Sequence, residues 1–304
     1  MKTIHGIEYL VVRFLAFLFR LFPRKASIKL GERLGRAVGN LWTSRHNIVI
    51  DNLKIAYSDE LSSAKREELS RDVFGNIGKT MAEVCRFSIT SRQQILDMVT
   101  VEGENSLKEA LEYGKGAILL GSHFGNWELV GAFIHALGYP IDYMIRGQHN
   151  RYVDDYLTSL RAHCGVNVIH SERGMIDVLR ALKSNHQVAI VADQHAGSHG
   201  VQIEFFGRLV SVPRAPATLS VRTGAPIMIG HMYRQDDGSH HAVFDPLIYP
   251  NREADVDEEI VRLTRQFTVR FEQAIRERPD HWLWTHRRFK TLSDTKQSGD
   301  RGVK

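Results

Sequence analysis

Between Ala117 and Ile248 short apolar runs alternate with amphipathic stretches of helical length. The runs AILLGS (117–122), IDYMIR (141–146), VNVIH (166–170), QVAIVA (187–192), VQIEFF (201–206), PIMIGHMY (226–233) and HAVFDPLI (241–248) read as strands. Helical patterns fill the gaps up to Leu137, around 156–164, over 174–183 and near 215–223. Strands joined by helices of this length need crossover connections, which predicts an α/β fold with a mostly parallel central sheet flanked by helices. Upstream the pattern is helical, and Gly31, Gly35 and Gly39 recur every four residues, a stripe that lets another helix approach closely. Downstream, Asp255 and Glu258 have the D-x-x-E spacing of a helix cap, and Ile260, Leu263, Phe267, Phe271 and Ile275 form one apolar stripe before Pro279. The organisation expected is an N-terminal membrane-associated helix (1–25), a main domain (26–291) made of a helical lobe (26–100) and an α/β core (101–291), and a polar, disordered tail (292–304).

The first helix is unusual. YLVVRFLAFLFRLF is too short to cross a bilayer comfortably and is broken by Arg13 and Arg20. No small-residue cleavage site follows it, which argues against a secretory leader. Seven residues apart, the two arginines share a face, as in a helix lying in a membrane interface with its arginines snorkelling; a core helix with two exposed arginines is the alternative. The formal net charge of +5, from 40 Lys and Arg against 35 Asp and Glu, favours an anionic partner such as a membrane surface or an acidic carrier protein. No recognisable RNA or DNA module accompanies it, so nucleic acid is not expected. Cys85 and Cys164 have no CxxC spacing and read as packing residues.

The junction GSHFGNWELVG (121–131) places a histidine, an asparagine and a glutamate directly after a buried-type strand. In one continuous helix His123 and Glu128 would point about 140° apart and could not meet. With the strand ending at Ser122, a turn through Phe124 and Gly125, and a helix capped by Asn126, Glu128 falls in the first helical turn and faces the histidine. That arrangement lets Glu128 hold one imidazole nitrogen while the other acts as a general base. The bland alternative is a histidine satisfying a tight turn and a glutamate complementing the helix dipole. Asp193 and Gln194 follow the strand QVAIVA and emerge at the same sheet edge, where Asp193 can bind an acceptor hydroxyl or cap the next turn.

HFGNWE resembles the H-x4-D/E motif of glycerolipid-type acyltransferases, and in its GNWE form the late acyltransferases of lipid A biosynthesis. RHNIVIDNL, IRGQHN, ADQHAGSHGVQIEFFG, VPRAPATLSVRTGAP and PDHWLWTHRRFK extend the resemblance from Arg45 to Lys290. It implies transfer of a fatty acyl chain from acyl carrier protein to a hydroxyl of a glycolipid at the cytoplasmic face of the inner membrane. His123 and Glu128 would be catalytic, and Asn126, Arg146, Arg161, Asp193 and Gln194 would contact substrate, with Arg161 or backbone amides at the helix start at Asn126 stabilising the oxyanion. Neither metal nor cofactor is implied, although His195 and His199 have a metal-compatible spacing. Trp282 and Trp284, beside His286, Arg287, Arg288 and Lys290, read either as a headgroup or carrier contact or as a buried pair. Three other activities remain open at this level: acylation of a different glycolipid such as a phosphatidylinositol mannoside, a thioesterase or lipase, and an inert lipid-binding protein.

Overall fold

The computed structural model describes residues 2–171 and 174–290, so the expected disordered tail lies outside the described residues. The helical part opens with α1 (Lys2–Leu21), α2 (Arg24–Leu41), α3 (Thr43–Tyr57), α4 (Ser63–Cys85) and α5 (Arg92–Asp97). The glycine stripe of α2 lies against α4: a Cβ on Gly31 would meet the Gly78 carbonyl oxygen at 2.5 Å, and one on Gly39 the Phe74 ring at 2.5 Å. Backbones this close exclude any larger side chain.

The sheet elements follow in the order β1 (Val99–Glu102), α6 (Glu104–Tyr113), β2 (Ala117–Gly121), α7 (Trp127–Leu137), β3 (Ile141–Ile145), α8 (Arg151–His163), β4 (Asn167–His170), α9 (Met175–Lys183) and β5 (Gln187–Val191). A hairpin of β6 (Val201–Phe205) and β7 (Arg208–Val212) precedes α10 (Ala215–Thr223), β8 (Ile227–Arg234), β9 (His240–Phe244) and α11 (Val256–Glu277). Seven strands form one sheet in the order β1-β9-β8-β2-β5-β3-β4. The expectation of a mostly parallel α/β sheet holds, five of its six strand pairings being parallel, and the sheet is mixed only because β8 and β9 pair antiparallel. Their link is a tight turn closed by Gln235 N–H donating to the Ser239 carbonyl at 2.8 Å, too short for a crossover. The FFG segment is the turn of the β6–β7 hairpin, with Phe206 and Gly207 both at positive φ. Phe205 and Phe206 are buried, so this segment is a turn with its rings turned inward. The stripe on α11 is buried throughout, and Asp255 caps that helix by accepting from the N–H groups of Asp257 and Glu258.

Helix α1 corrects the snorkelling expectation. Arg20 Nε donates to the Cys85 carbonyl at 2.8 Å and its Nη2 reaches the Tyr156 hydroxyl, while the Arg13 guanidinium stacks on the Tyr156 ring at 4.9 Å. Both arginines therefore turn toward the protein and hold α8. Ala16 and Phe19 are buried beside them, and Ile4, Ile7, Val11, Phe14, Phe17 and Leu21 form the exposed outer stripe. Among the described residues no helix is long and apolar enough to cross a membrane. Phe19→Ala is expected to lower the unfolding free energy by about 3 kcal/mol, and Phe14→Ala or Phe17→Ala by less than about 0.5 kcal/mol, in urea titrations followed by tryptophan fluorescence. Equal losses at all three positions would show that the outer stripe is also packed.

Candidate active site

The parallel pairing of β2 with β5 puts Gly121 opposite Val191. Two residues further along each chain stand His123 and Asp193, so the register alone brings them side by side at the carboxyl ends of neighbouring strands. His123 Nδ1 lies 2.8 Å from Asp193 Oδ1, and the His123 backbone N–H donates to Oδ2 at 2.8 Å. Trp282 Nε1–H donates to the same Oδ2 at 2.7 Å. Burial works against the imidazolium, but the charge and hydrogen bond of Asp193 outweigh it, with a smaller contribution from Glu128, and His123 sits above the ordinary histidine pKa. Burial likewise disfavours the Asp193 carboxylate, yet His123 and the Trp282 N–H hold it down to about 2.

The expected partner of His123, Glu128, is engaged elsewhere. Arg161 Nε donates to Glu128 Oε2 at 2.8 Å and Arg161 Nη2 to Oε1 at 2.7 Å, a two-pronged pair between α7 and α8. Glu128 does fall in the first turn of α7, but its position two residues past the cap turns it toward α8. Arg161 is neither a surface residue nor a free fork: it is 9% exposed, and two of its three nitrogens are spent on Glu128. Asp193, read from sequence as an acceptor or cap residue, takes the orienting position instead.

Asn126 caps α7 as expected, its Oδ1 accepting from Leu129 N–H at 3.1 Å. Its side chain is fully buried and its Nδ2 donates to Glu83 at 2.9 Å, so it faces away from any substrate. Its backbone N–H goes to the Met232 carbonyl at 3.2 Å and that of Gly125 to His281 at 2.8 Å, which leaves neither amide to stabilise an oxyanion. Gly125 has φ +55°, and any Cβ there would collide with the Met232 carbonyl.

A cavity of about 610 Å3 opens over this turn. His123, Glu128, Arg146, Arg161, Gln194 and His286 supply its polar wall, whereas Leu119, Val130, Met144, Leu157 and Ile190 line an apolar flank. With Nδ1 committed to Asp193, Nε2 is the ring nitrogen of His123 left to face that space. Gln194 contacts His286 Nε2 at 3.1 Å, and burial, followed by the nearby His123, lowers the His286 pKa. Trp282 and Trp284 are buried, which excludes a headgroup contact for the pair. His286 and Trp282 were grouped in the sequence with a basic cluster; only the path of the C-terminal segment, where Leu283 N–H donates to the His123 carbonyl at 2.9 Å, brings them to the site.

The sequence model of the bacterial lipid A biosynthesis acyltransferases matches residues 1–291. The lipid A biosynthesis palmitoleoyltransferase of Escherichia coli (strain K12) is 26% identical over 264 residues, 86% of this chain and 84% of that protein. The lipid A biosynthesis lauroyltransferase of the same organism is 23% identical over 291 residues, covering 94% and 90%. A phosphatidylinositol mannoside acyltransferase of Mycobacterium tuberculosis (strain ATCC 25618 / H37Rv) is 28% identical over 217 residues, covering 67% and 65%. With a match over nearly its whole length, this chain belongs to the bacterial lipid A biosynthesis acyltransferase family.

Proposed function

We propose that this acyltransferase moves a fatty acyl chain from acyl carrier protein to a hydroxyl of a lipid A precursor, with His123 as general base. The observation that carries this reading is the His123–Asp193 pair, whose free Nε2 borders the cavity. Nε2 takes the proton of the acceptor hydroxyl, the oxygen attacks the thioester carbonyl, the C–S bond breaks, and the departing thiolate recovers the proton from the imidazolium. Asp193 fixes the tautomer and stabilises the imidazolium as it forms. The apolar flank suits the acyl chain, and Arg146 with the remaining Arg161 nitrogen suits an anionic group of the acceptor. An acidic carrier protein is drawn by the net charge of +5.

The test combines purified protein with acyl carrier protein or coenzyme A thioesters and with either a lipid A precursor or a phosphatidylinositol mannoside, products being read by mass spectrometry. Preferred acylation of the lipid A precursor from the carrier thioester supports the proposal. Transfer confined to the mannoside, or release of free fatty acid alone, overturns it.

His123→Ala is expected to reduce turnover roughly 10²- to 10⁴-fold. Because the base must be neutral, activity should rise with pH through a limb above the ordinary histidine value, near 6.5. Asp193→Asn removes the charge that favours the imidazolium, so the limb should move to lower pH while the maximal rate falls; an unmoved limb in pH–rate profiles would exclude the pairing.

Arg161→Lys and Glu128→Gln each strip a buried ion of its two-pronged partner and should lower kcat/KM by about 10-fold or more. Together they should cost little more than the worse single change, as expected for one unit, and additive losses in kinetic measurements would show independent roles.

The outer stripe of α1 is assigned to the surface of the inner membrane at its cytoplasmic face. Each of these side chains is worth roughly 1.5–3 kcal/mol when fully buried in lipid. The triple change Phe14→Ser, Phe17→Ser, Leu21→Ser should therefore release the protein from anionic vesicles in sedimentation assays. Retention at the parental level would place attachment elsewhere.

A further inference from the structure

The carboxylate of Glu83, in α4, lies at the meeting point of four side chains. Arg24 Nη2 donates to Oε1 at 2.6 Å and His240 Nε2 lies 3.0 Å from it, while Asn126 Nδ2 donates to Oε2 at 2.9 Å and Arg234 Nη2 also contacts Oε2. Glu83 is 6% exposed, Arg234 7%, and Asn126 and His240 are fully buried. Removing such charges from water is costly, and apolar residues of similar volume commonly hold a fold as well. Stability alone therefore does not account for the cluster.

Its connection to the reaction runs through Asn126. That side chain bridges two elements, accepting from Leu129 N–H at the start of α7 and donating to Glu83 in α4. One turn earlier in α4, Thr80 Oγ1 donates to the Gly125 carbonyl at 3.0 Å. Helix α4 thus grips two successive residues of the turn that begins at His123. Glu83 does not line the cavity and is not placed to touch substrate. A serine at position 126 would cap α7 equally well but could not reach the carboxylate, so capping by itself does not require the asparagine.

We infer that Glu83 is a positioning residue for acyl transfer, fixing Asn126 and through it the turn that carries His123. This rests on His123 being the base. The deciding variant is Asn126→Ser, which keeps the cap and cuts the link. Its kcat is expected to fall about 10- to 100-fold, the scale of an ångström-sized misplacement, with KM within about twofold and the thermal midpoint lowered but still well above the assay temperature. Placed on His123→Ala, it should produce no further loss, since a residue acting through the base has nothing left to act on. Glu83→Gln should follow the same pattern, and if it fails to fold, Asn126→Ser still decides. Parental kcat in Asn126→Ser beside a crippled His123→Ala overturns the inference alone, as does an undiminished loss in the double variant. Parental kcat in His123→Ala overturns the base assignment and this inference with it.

Discussion

The buried contact between His123 and Asp193 organises everything around it. A carboxylate withdrawn from water loses several kcal/mol of hydration and stays ionised only if donors replace that water. Asp193 receives them from the His123 ring, the His123 backbone and the Trp282 indole. The last comes from a segment far along the chain, and Trp282 is itself seated against Trp284 and Phe205. The aromatic cluster that a surface reading would turn toward lipid is thus the back wall of the turn that carries His123.

The same turn is tied down in other directions. The His123 carbonyl accepts from Leu283, the Gly125 N–H donates to His281, and the Gly125 carbonyl accepts from Thr80. Backbone polar groups so satisfied leave the turn few alternative conformations, and the imidazole is held in place before any substrate arrives. Beside it the Glu128–Arg161 pair locks α7 to α8, and α8 is held in turn by Arg20 of α1. The N-terminal helix is therefore structural on its inner side, whatever its exposed outer stripe meets. This is the physical setting of an acyltransferase acting on lipid: a rigid polar centre, an apolar flank for hydrocarbon, and an outlying helix whose two faces do different work.

Much of the local structure was legible in the sequence because it depends on neighbours along the chain. The apolar runs from Ala117 to Arg234 became strands within a residue or two, Asn126 and Asp255 became helix caps, and the glycines of α2 met another helix. The direction of α1 was not legible: the moment of the helix fixes which residues share a face, but not which face meets the protein. Here tyrosines and carbonyls waiting on α8 and α4 drew the arginines inward.

Local pattern along the chain was enough to place a histidine at the end of a buried strand, followed by a capped helix, and Asp193 at the end of another strand. It could not choose the partner of that histidine. Glu128 was nearest along the chain, but proximity in sequence gives no vector across a turn, and the helix carried Glu128 to Arg161. Asp193 reached His123 because β2 and β5, separated by two other strands in the chain, are neighbours in the sheet with Gly121 opposite Val191. Strand order and register arise from packing of the whole sheet against its helices, and that long-range packing decided which carboxylate would hold the histidine.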